Sequence, residues 1–162
     1  NAEKYYQQVS VPKGKRLKST TVHELILESD VFINVPVLKH HSSARTTISL
    51  KNLMGVVYDR RYWHKNDLHQ CIADYGTFHR KPDLNIIDAY RIMFRNGPRG
   101  VSKNDTKLIM SQIISEDMVA ADTAATKLLG KKPVGIDYIK IAEEMGIGTM
   151  DLSKLKIARL SI

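Results

Sequence analysis

The chain has 162 residues, of which 43% are hydrophobic, and this length suits one domain with a sizeable core. No apolar run approaches the roughly 20 residues that a membrane-spanning helix needs, so the sequence predicts no membrane partner. The single cysteine, Cys71, excludes an internal disulfide framework and any zinc or iron–sulfur site built only from cysteines of this chain.

The net charge of +8 is unevenly distributed along the chain. Residues 39–65 contain six lysines and arginines but one acidic residue, Asp59. Such a local excess favours an anionic partner, although a solvated basic face is the simpler alternative. We therefore expect the functional surface of the protein to include this segment.

The first residues are Asn1 and Ala2 rather than a methionine, which is typical of a vector remnant on a trimmed protein. We interpret residues 1–20 as an N-terminal extension or such a remnant. Residues 21–162 are then a single α/β domain, which could be a fragment of a longer protein. We expect a cytoplasmic location, but export stays open because we expect the native N-terminus to lie upstream of this sequence.

The first predicted elements come from a capping box and a compact apolar run. Thr21-Val-His-Glu24 predicts a short helix over residues 22–28. Residues 31–35 are apolar and predict a strand buried on both faces, as in a parallel sheet. Pro36 lacks the amide hydrogen that a ladder needs, so we expect the strand to end there. The following residues are then a loop as far as residue 45.

The rest of the chain alternates helical and extended patterns. Helices are predicted over residues 46–54, 67–79, 117–129 and 136–145, and residues 55–66 are predicted to form a loop. Strands are predicted over residues 84–87, 108–114 and 155–160. This order predicts an α/β fold with a mostly parallel sheet, helices on both faces and βαβ units.

A cluster of polar residues follows the first predicted strand. In open α/β sheets, ligands bind beyond the carboxyl ends of the strands, where Asp88 is also expected. A helix that begins near Thr46 would offer unpaired amides with a partial positive charge. Lys39, Arg45, Thr46 and Thr47 lie at that end, so we predict that they bind phosphate or carboxylate. The alternative is an ordinary basic loop before a capped helix.

Three further residues of the same region could carry chemistry. His40 and His41 are adjacent and point opposite ways in an extended segment, and we prefer His41 for the site. A three-ligand metal site from His41, His64 and Asp88 is an alternative that matches no standard zinc spacing. Lys51 lies in an apolar helix, and burial would lower its pKa only if it pointed into the site rather than to solvent.

Two features leave their roles open. Asp122 lies on the apolar stripe of its helix, so a buried carboxylate there needs a partner, either a backbone amide or a cation of the central segment. The run of aromatic and basic residues over 58–64 could stack on single-stranded nucleic acid. No known nucleic-acid-binding module is present, so the sequence argues against a nucleic-acid partner.

Short motifs in a fixed order resemble a known family. They are Asn34-x-Pro36-x-Leu38-Lys39-x-His41, Leu50-Lys-Asn-Leu-Met-Gly55, a histidine at 64, Lys81-Pro-Asp-Leu84, Ile87-Asp-Ala89, Asn96-Gly-Pro98, Val119-Ala-x-Asp122 and Gly146-Ile-Gly148. Over residues 30–160 the chain resembles the family called domain of unknown function 362. The resemblance implies a bacterial or archaeal protein and a link to ferredoxin-like iron–sulfur modules. It implies no settled reaction, and any cluster would lie outside this chain.

A second likeness is to the nickel-pincer lactate racemases, which attach a nickel-bearing, nicotinate-derived cofactor to a lysine. His41 precedes Lys51 by ten residues and His64 follows it by thirteen, in the order of the catalytic and nickel-binding histidines of those enzymes. The glycine pair of that lysine motif is Ser49-Leu50 here. Glycine lets a ligand approach the backbone closely, so this departure weakens the likeness.

We therefore predict a site for an anionic small molecule or a phosphate-bearing cofactor, and the sequence leaves open whether the protein is an enzyme. The predicted binding residues are Lys39, Arg45, Thr46, Thr47 and Lys51. For metal- or cofactor-assisted proton transfer on a carboxylate, the predicted catalytic residues are His41, Lys51 and Asp88, with His64 and His41 as ligands of nickel or another divalent metal. The alternative is a binding module that docks a redox partner or nucleic acid through its basic face.

Overall fold

A central strand, β6, organises the sheet of the protein in this computed structural model, which describes residues 2–161. The strands are β1 (Tyr6–Ser10), β2 (Ser19–His23), β3 (Ile33–Asn34), β4 (Val37–His41), β5 (Arg45–Thr47), β6 (Leu84–Met93) and β7 (Thr106–Ser115). The helices are α1 (Glu24–Glu28), α2 (Ser49–Asn52), α3 (Arg60–Lys65), α4 (Leu68–Gly76), α5 (Met118–Leu128) and α6 (Asp137–Glu144).

The α/β class predicted from the sequence is confirmed. Strands β3 and β4 run parallel to β6, and the helices α2, α3 and α4 connect them to it as a βαβ unit. Strands β5 and β7 are antiparallel to their neighbours β4 and β6. The sheet therefore has a parallel centre with antiparallel edges. Strands β1 and β2 form a separate antiparallel pair.

The strand that begins at β3 continues past Pro36 instead of ending there. Both β3 and β4 pair with β6, and the carbonyl of Pro36 between them accepts a hydrogen bond from the amide of Asp88 at 2.9 Å. The loop predicted after Pro36 is therefore wrong, because residues 37–47 form the hairpin of β4 and β5. Proline removes one donor from a ladder but keeps its acceptor, so pairing can resume beyond it.

Long, strongly periodic elements match their predictions more closely than short ones do, although the short helix predicted over residues 22–28 is present as α1. Helices α4, α5 and α6 and strand β7 lie where the sequence predicts them. Strand β6 begins where predicted but runs on to Met93, so Asp88 lies inside the strand and not beyond its carboxyl end, where the sequence predicts it. Helix α1 begins after Thr21, which belongs to β2, and the imidazole of His23 caps it instead. Helix α2 covers four residues, and α3 replaces part of a predicted loop, with Asp59 accepting from the amide of Tyr62.

The two faces of the sheet have different environments. Helix α5 packs on one face, where a small core is fully buried; its members are Leu38, Ile48, Ile87, Ala89, Ile92, Ala121, Ala125 and Leu129. On the other face Tyr90, Met110 and Ile114 are each more than half exposed. A second layer of helices is therefore not present on this face among residues 2–161.

A larger core lies beside the sheet and includes the N-terminal segment. Val11 and Leu17 are buried in it together with residues of α3, α4 and α6. Asp74 of α4 accepts hydrogen bonds from the amides of Arg16 and Leu17 at 2.6 and 2.8 Å. Residues 6–20 thus pack as part of the folded protein, while the start of the predicted vector remnant, Asn1, lies outside the described residues.

The last predicted strand, over residues 155–160, is wrong. These residues have no strand partner, and Ile157 and Leu160 are exposed. Alternating apolar and basic residues fit the period of a strand, but a strand also needs a neighbour to pair with. None of the helices among residues 2–161 is long and apolar enough to cross a membrane.

Candidate functional site

Five basic side chains from three elements interact electrostatically, and we call them the basic cluster. They are Lys39 and His41 of β4, Lys51 of α2, and Arg60 and His64 of α3. Burial is the main reason that the pKa values of His41, Lys51 and His64 are lowered. The positive charges of Lys39 and Arg60 further lower the pKa of Lys51, and Lys51 further lowers those of His41 and His64. The structure thus brings together His41, Lys51 and His64, which lie far apart in the sequence.

The hairpin and helix α3 set the direction of the cluster residues. Lys39 and His41 are alternate residues of β4 and therefore point to the same side of the sheet. Arg60 and His64 are four residues apart and share one face of α3. The guanidinium of Arg60 is fixed by donating to the carbonyls of Val57 and Gly55, both at 3.1 Å.

The first amides of α2 already bind a carboxylate of the protein itself. Asp122, which is fully buried, accepts from the amide of Ser49 at 2.7 Å and from that of Leu50 at 3.2 Å. Burial raises the pKa of Asp122 to about 7, although both amides counteract this. The helix start predicted near Thr46 is therefore wrong, and its donors are not free for a ligand. The amide partner proposed for Asp122 is confirmed.

Three asparagines hold α2 against the sheet. The side-chain amide of Asn34 donates to the carbonyl of Ser49 at 3.1 Å and to the side chain of Asn85 at 2.9 Å. Asn52 donates to the side-chain oxygen of Asn34 at 2.9 Å. Together with Asp122, this network fixes the residues on both sides of Lys51.

The other predicted binding residues are divided between the surface and the core. Arg45 lies opposite His41 in the hairpin and is exposed. Thr46 is buried, and its hydroxyl is 2.8 Å from that of Tyr138 in α6, so it faces the core. Thr47 lies opposite Lys39, and its buried hydroxyl has no hydrogen-bond partner among the described residues.

Lys51 is the most deeply buried member of the basic cluster, with 8% of its surface exposed. Its side chain makes no hydrogen bond or ion pair with any residue that the structure describes. Its pKa is lowered to about 8, first by burial and then by Lys39 and Arg60. A largely buried lysine beside two other cations lacks the counter-charge that such residues normally have.

His41 is held by the turn between β4 and β5. Its Nδ1 accepts from the amides of Ser43 and Ala44, both at 3.2 Å. Burial lowers its pKa to about 4, with further contributions from Lys51, His64, Lys39 and His40. The Nδ1 of neighbouring His40 instead accepts from the amide of Gly97 at 3.1 Å.

Asp88 lies outside this group of interacting side chains. Its carboxylate accepts from the amide of Tyr90 at 2.9 Å, and it is not among the groups that shift the pKa of His41, Lys51 or His64. No three histidine, cysteine or carboxylate side chains within residues 2–161 are placed to hold a metal ion. The alternative three-ligand site of His41, His64 and Asp88 is therefore not formed.

The basic cluster reaches the surface of the protein, because Arg60 and His64 are exposed. The two described cavities, of about 300 and 480 Å³, are lined by other residues, in one case around Arg16 and Tyr62 and in the other around Val134 and Glu143. Sequence reasoning missed Arg60 because it assigned residues 55–66 to a loop. A signal was available, since an aspartate at position 59 can cap a helix that starts at Arg60.

The fold and the cluster together define an α/β domain with a surface site of basic side chains around a buried lysine. The family described as "Domain of unknown function (DUF362)" matches residues 1–127, which is more than half of the chain, so the chain belongs to this family. The resemblance found in the sequence motifs is thereby confirmed.

A curated relative is "Thylakoid-associated protein sll1697" from Synechocystis sp. (strain ATCC 27184 / PCC 6803 / Kazusa). The two proteins are 28% identical over 129 residues, which cover 75% of this chain and 39% of the relative. The chain therefore spans about two fifths of that relative's length. No solved structure matches the chain.

Proposed function

We propose that the basic cluster binds the carboxylate or phosphate group of a small anionic ligand or cofactor, with Lys51 as the central cation. The observation that supports this proposal is the burial of Lys51 beside Lys39 and Arg60, with no hydrogen bond or ion pair from its side chain to a described residue. An ammonium that is removed from water destabilises the folded state unless it is neutralised or paired. An oxyanion would supply the missing counter-charge.

The proposed site is also suited to proton transfer, should the bound carboxylate react. The pKa of Lys51, about 8, lies close to neutral pH, where a group can both give and take a proton. Lys51 is therefore our candidate for acid–base chemistry, and Lys39 and Arg60 would hold the ligand's charge. The catalytic role of Asp88 stays a prediction without a contact that supports it. A cytoplasmic location likewise stays a prediction.

A nickel ion, another divalent metal or the nickel-bearing cofactor of the racemases fits these residues poorly. The lone pair of His41 Nδ1 is occupied by two backbone amides. The surrounding charges of Lys39, Lys51 and Arg60 repel a cation. We therefore derive no step of a reaction through a metal at His41 and His64.

The proposal is tested by adding inorganic phosphate, sulfate or acetate to the full chain and recording amide NMR spectra. We expect saturable shifts near residues 39–41, 50–52 and 60–64. The Lys51→Met variant should lose them, whereas Lys127→Met, at an exposed lysine of α5, should keep them. An equal response of both variants, or none in the native protein, would contradict the proposal.

A second candidate function is the docking of an acidic redox partner, such as a ferredoxin-like module, or of nucleic acid. It is favoured by helix α3, which exposes Arg60, Arg61 and Lys65 without an ion pair to a described residue. Binding of a ferredoxin or of single-stranded DNA should then fall steeply with salt. The charge reversals Arg61→Glu and Lys65→Glu should abolish it and leave the phosphate response unchanged.

A further inference from the structure

We infer that His41 contributes to the proposed site as a neutral hydrogen-bond donor through Nε2–H, so that the site selects an acceptor oxygen at this position. The ligand class is then an oxyanion, a carboxylate or a phosphate. This inference rests on the proposed function and deepens it. It replaces the acid–base and metal-ligand roles that the sequence predicts for His41.

The turn after β4 determines which nitrogen of His41 carries the proton. The amides of Ser43 and Ala44 both donate to Nδ1 at 3.2 Å. A nitrogen that accepts two amide hydrogens must keep its lone pair, so the proton of the neutral ring is on Nε2. The contact comes from the local path of the hairpin, and it therefore exists before any ligand binds.

Burial, together with the charges that face His41, keeps its ring neutral. Lys39 and His40 approach it from β4, Lys51 from α2 and His64 from α3, and none of these groups carries a negative charge. Together with burial they lower the pKa of His41 to about 4. A second proton would also require Nδ1 to give up both amide bonds. The ring can therefore present a hydrogen-bond donor near neutral pH without adding a positive charge to the cluster.

This arrangement separates the roles of the two central residues. Lys51 attracts the ligand by its positive charge. His41 orients the ligand, because two amides fix its ring and therefore the direction of its Nε2–H bond. A fixed neutral imidazole donor can polarise a carbonyl or hold a carboxylate or phosphate oxygen. A metal ion at Nε2 would need the opposite tautomer, in which Nδ1–H would point at two amide hydrogens.

The tautomer can be measured directly on the full chain, without a ligand. Long-range proton–nitrogen NMR spectra should show Nδ1 of His41 unprotonated and Nε2 protonated, and neither signal should titrate between pH 6 and about pH 5. A ring with the proton on Nδ1, or one that becomes cationic near pH 6.5, would overturn the inference. This result does not depend on whether the proposed function is correct.

The role of His41 in anion binding is measured by adding either sulfate or acetate. The charge of sulfate is constant over this pH range. We expect the Nε2 signal of His41 to shift with the same saturation curve as the signals near Lys51. His41→Ala should weaken binding about tenfold, His41→Gln should restore most of it by supplying an amide donor, and His79→Gln, at an exposed histidine, should have no effect.

The outcomes distinguish the two levels of the proposal. If sulfate and acetate bind near Lys51 without moving the His41 signal or without loss in His41→Ala, the inference fails and the proposed function stands. If neither anion binds, the proposed function fails together with the donor role, even where the tautomer is the expected one. A response to acetate but not to sulfate or phosphate identifies a carboxylate ligand.

Discussion

At the scale of single residues, Lys51 links the stability of the fold to its proposed function. Its surface is 8% exposed and its pKa is lowered from 10.5 to about 8. The folded state therefore favours the neutral amine. The stabilising contribution of this preference is fully present above about pH 10.5 and is lost as the pH falls through about 8. At neutral pH the chain holds a charged lysine at a cost that an anion can offset.

This cost predicts that Lys51→Met stabilises the ligand-free protein. Methionine has a similar length and no charge to desolvate, so the free energy of unfolding at pH 7 should rise by roughly 1–3 kcal/mol. Urea unfolding measures the change, and Lys127→Met should stay within about 0.5 kcal/mol of the native protein. A loss of stability in Lys51→Met would mean that the ammonium has a stabilising partner.

The pH dependence of anion binding follows from the same residue. Sulfate keeps its charge over the neutral and alkaline range, whereas Lys51 loses its proton as the pH rises through about 8. Sulfate affinity should therefore be constant below about pH 7 and fall above about pH 8. In Lys51→Arg, whose guanidinium stays charged, the fall should disappear. Sulfate titrations at a series of pH values measure this dependence. A sulfate affinity that does not change with pH in the native protein would exclude Lys51 as the central cation.

At the scale of elements, the short pieces of the βαβ unit determine where the cluster lies. Helix α2 has four residues and cannot be stable through its own hydrogen bonds. Asp122 and Asn34 hold it from two sides, one from α5 and one from β3. The position of Lys51 is therefore set by tertiary contacts rather than by the helical tendency of its own segment.

Removing the carboxylate of Asp122 should loosen α2 and its lysine together. In Asp122→Ala the buried amides of Ser49 and Leu50 lose their acceptor, and the free energy of unfolding should fall by roughly 2–4 kcal/mol. Asp122→Asn keeps one acceptor oxygen and should cost less. Urea unfolding gives both values, and amide hydrogen exchange at residues 49–52 should accelerate more than exchange in α4. Equal exchange rates in the two helices would show that α2 does not depend on Asp122.

The same dependence on tertiary contacts explains which elements could be predicted from the sequence. Helices α4, α5 and α6 and the long strands have enough residues for their periodicity to show. The strand β4 after Pro36 could not be predicted, because it pairs with residues of β6 that lie more than fifty positions later, such as Val37 with Asp88. The grouping of His41, Lys51 and His64 was expected from the basic segment after the first predicted strand and from the spacing of these residues in the racemase likeness. The hydrogen bonds that the amides of Ser43 and Ala44 donate to His41 depend on the path of the hairpin, so they could not be predicted from the sequence.

At the scale of the whole molecule, the two faces of the sheet have different neighbours. β6 carries apolar residues on both faces, a pattern typical of a strand covered on both sides. Ile87 is fully buried under α5, whereas Ile114 of the adjacent strand β7 is 58% exposed on the opposite face. Large exposed apolar side chains on one face, here Tyr90, Met110 and Ile114, promote association between proteins. The free energy of unfolding should therefore depend mainly on the face of the sheet under α5, and self-association in solution on the opposite, open face.

Two matched substitutions separate these effects. Ile87→Ala should reduce the free energy of unfolding by about 2–5 kcal/mol, because it leaves a cavity under α5. Ile114→Ala should cost about 1 kcal/mol or less, because its side chain is mostly in water.

Ile114→Lys should be as well folded as Ile114→Ala, and it should sediment as a smaller species than the native chain at high concentration. Urea unfolding and sedimentation velocity measure these properties. Equal losses at Ile87 and Ile114 would mean that both faces are covered in solution, and unchanged sedimentation of Ile114→Lys would mean that the open face does not drive association.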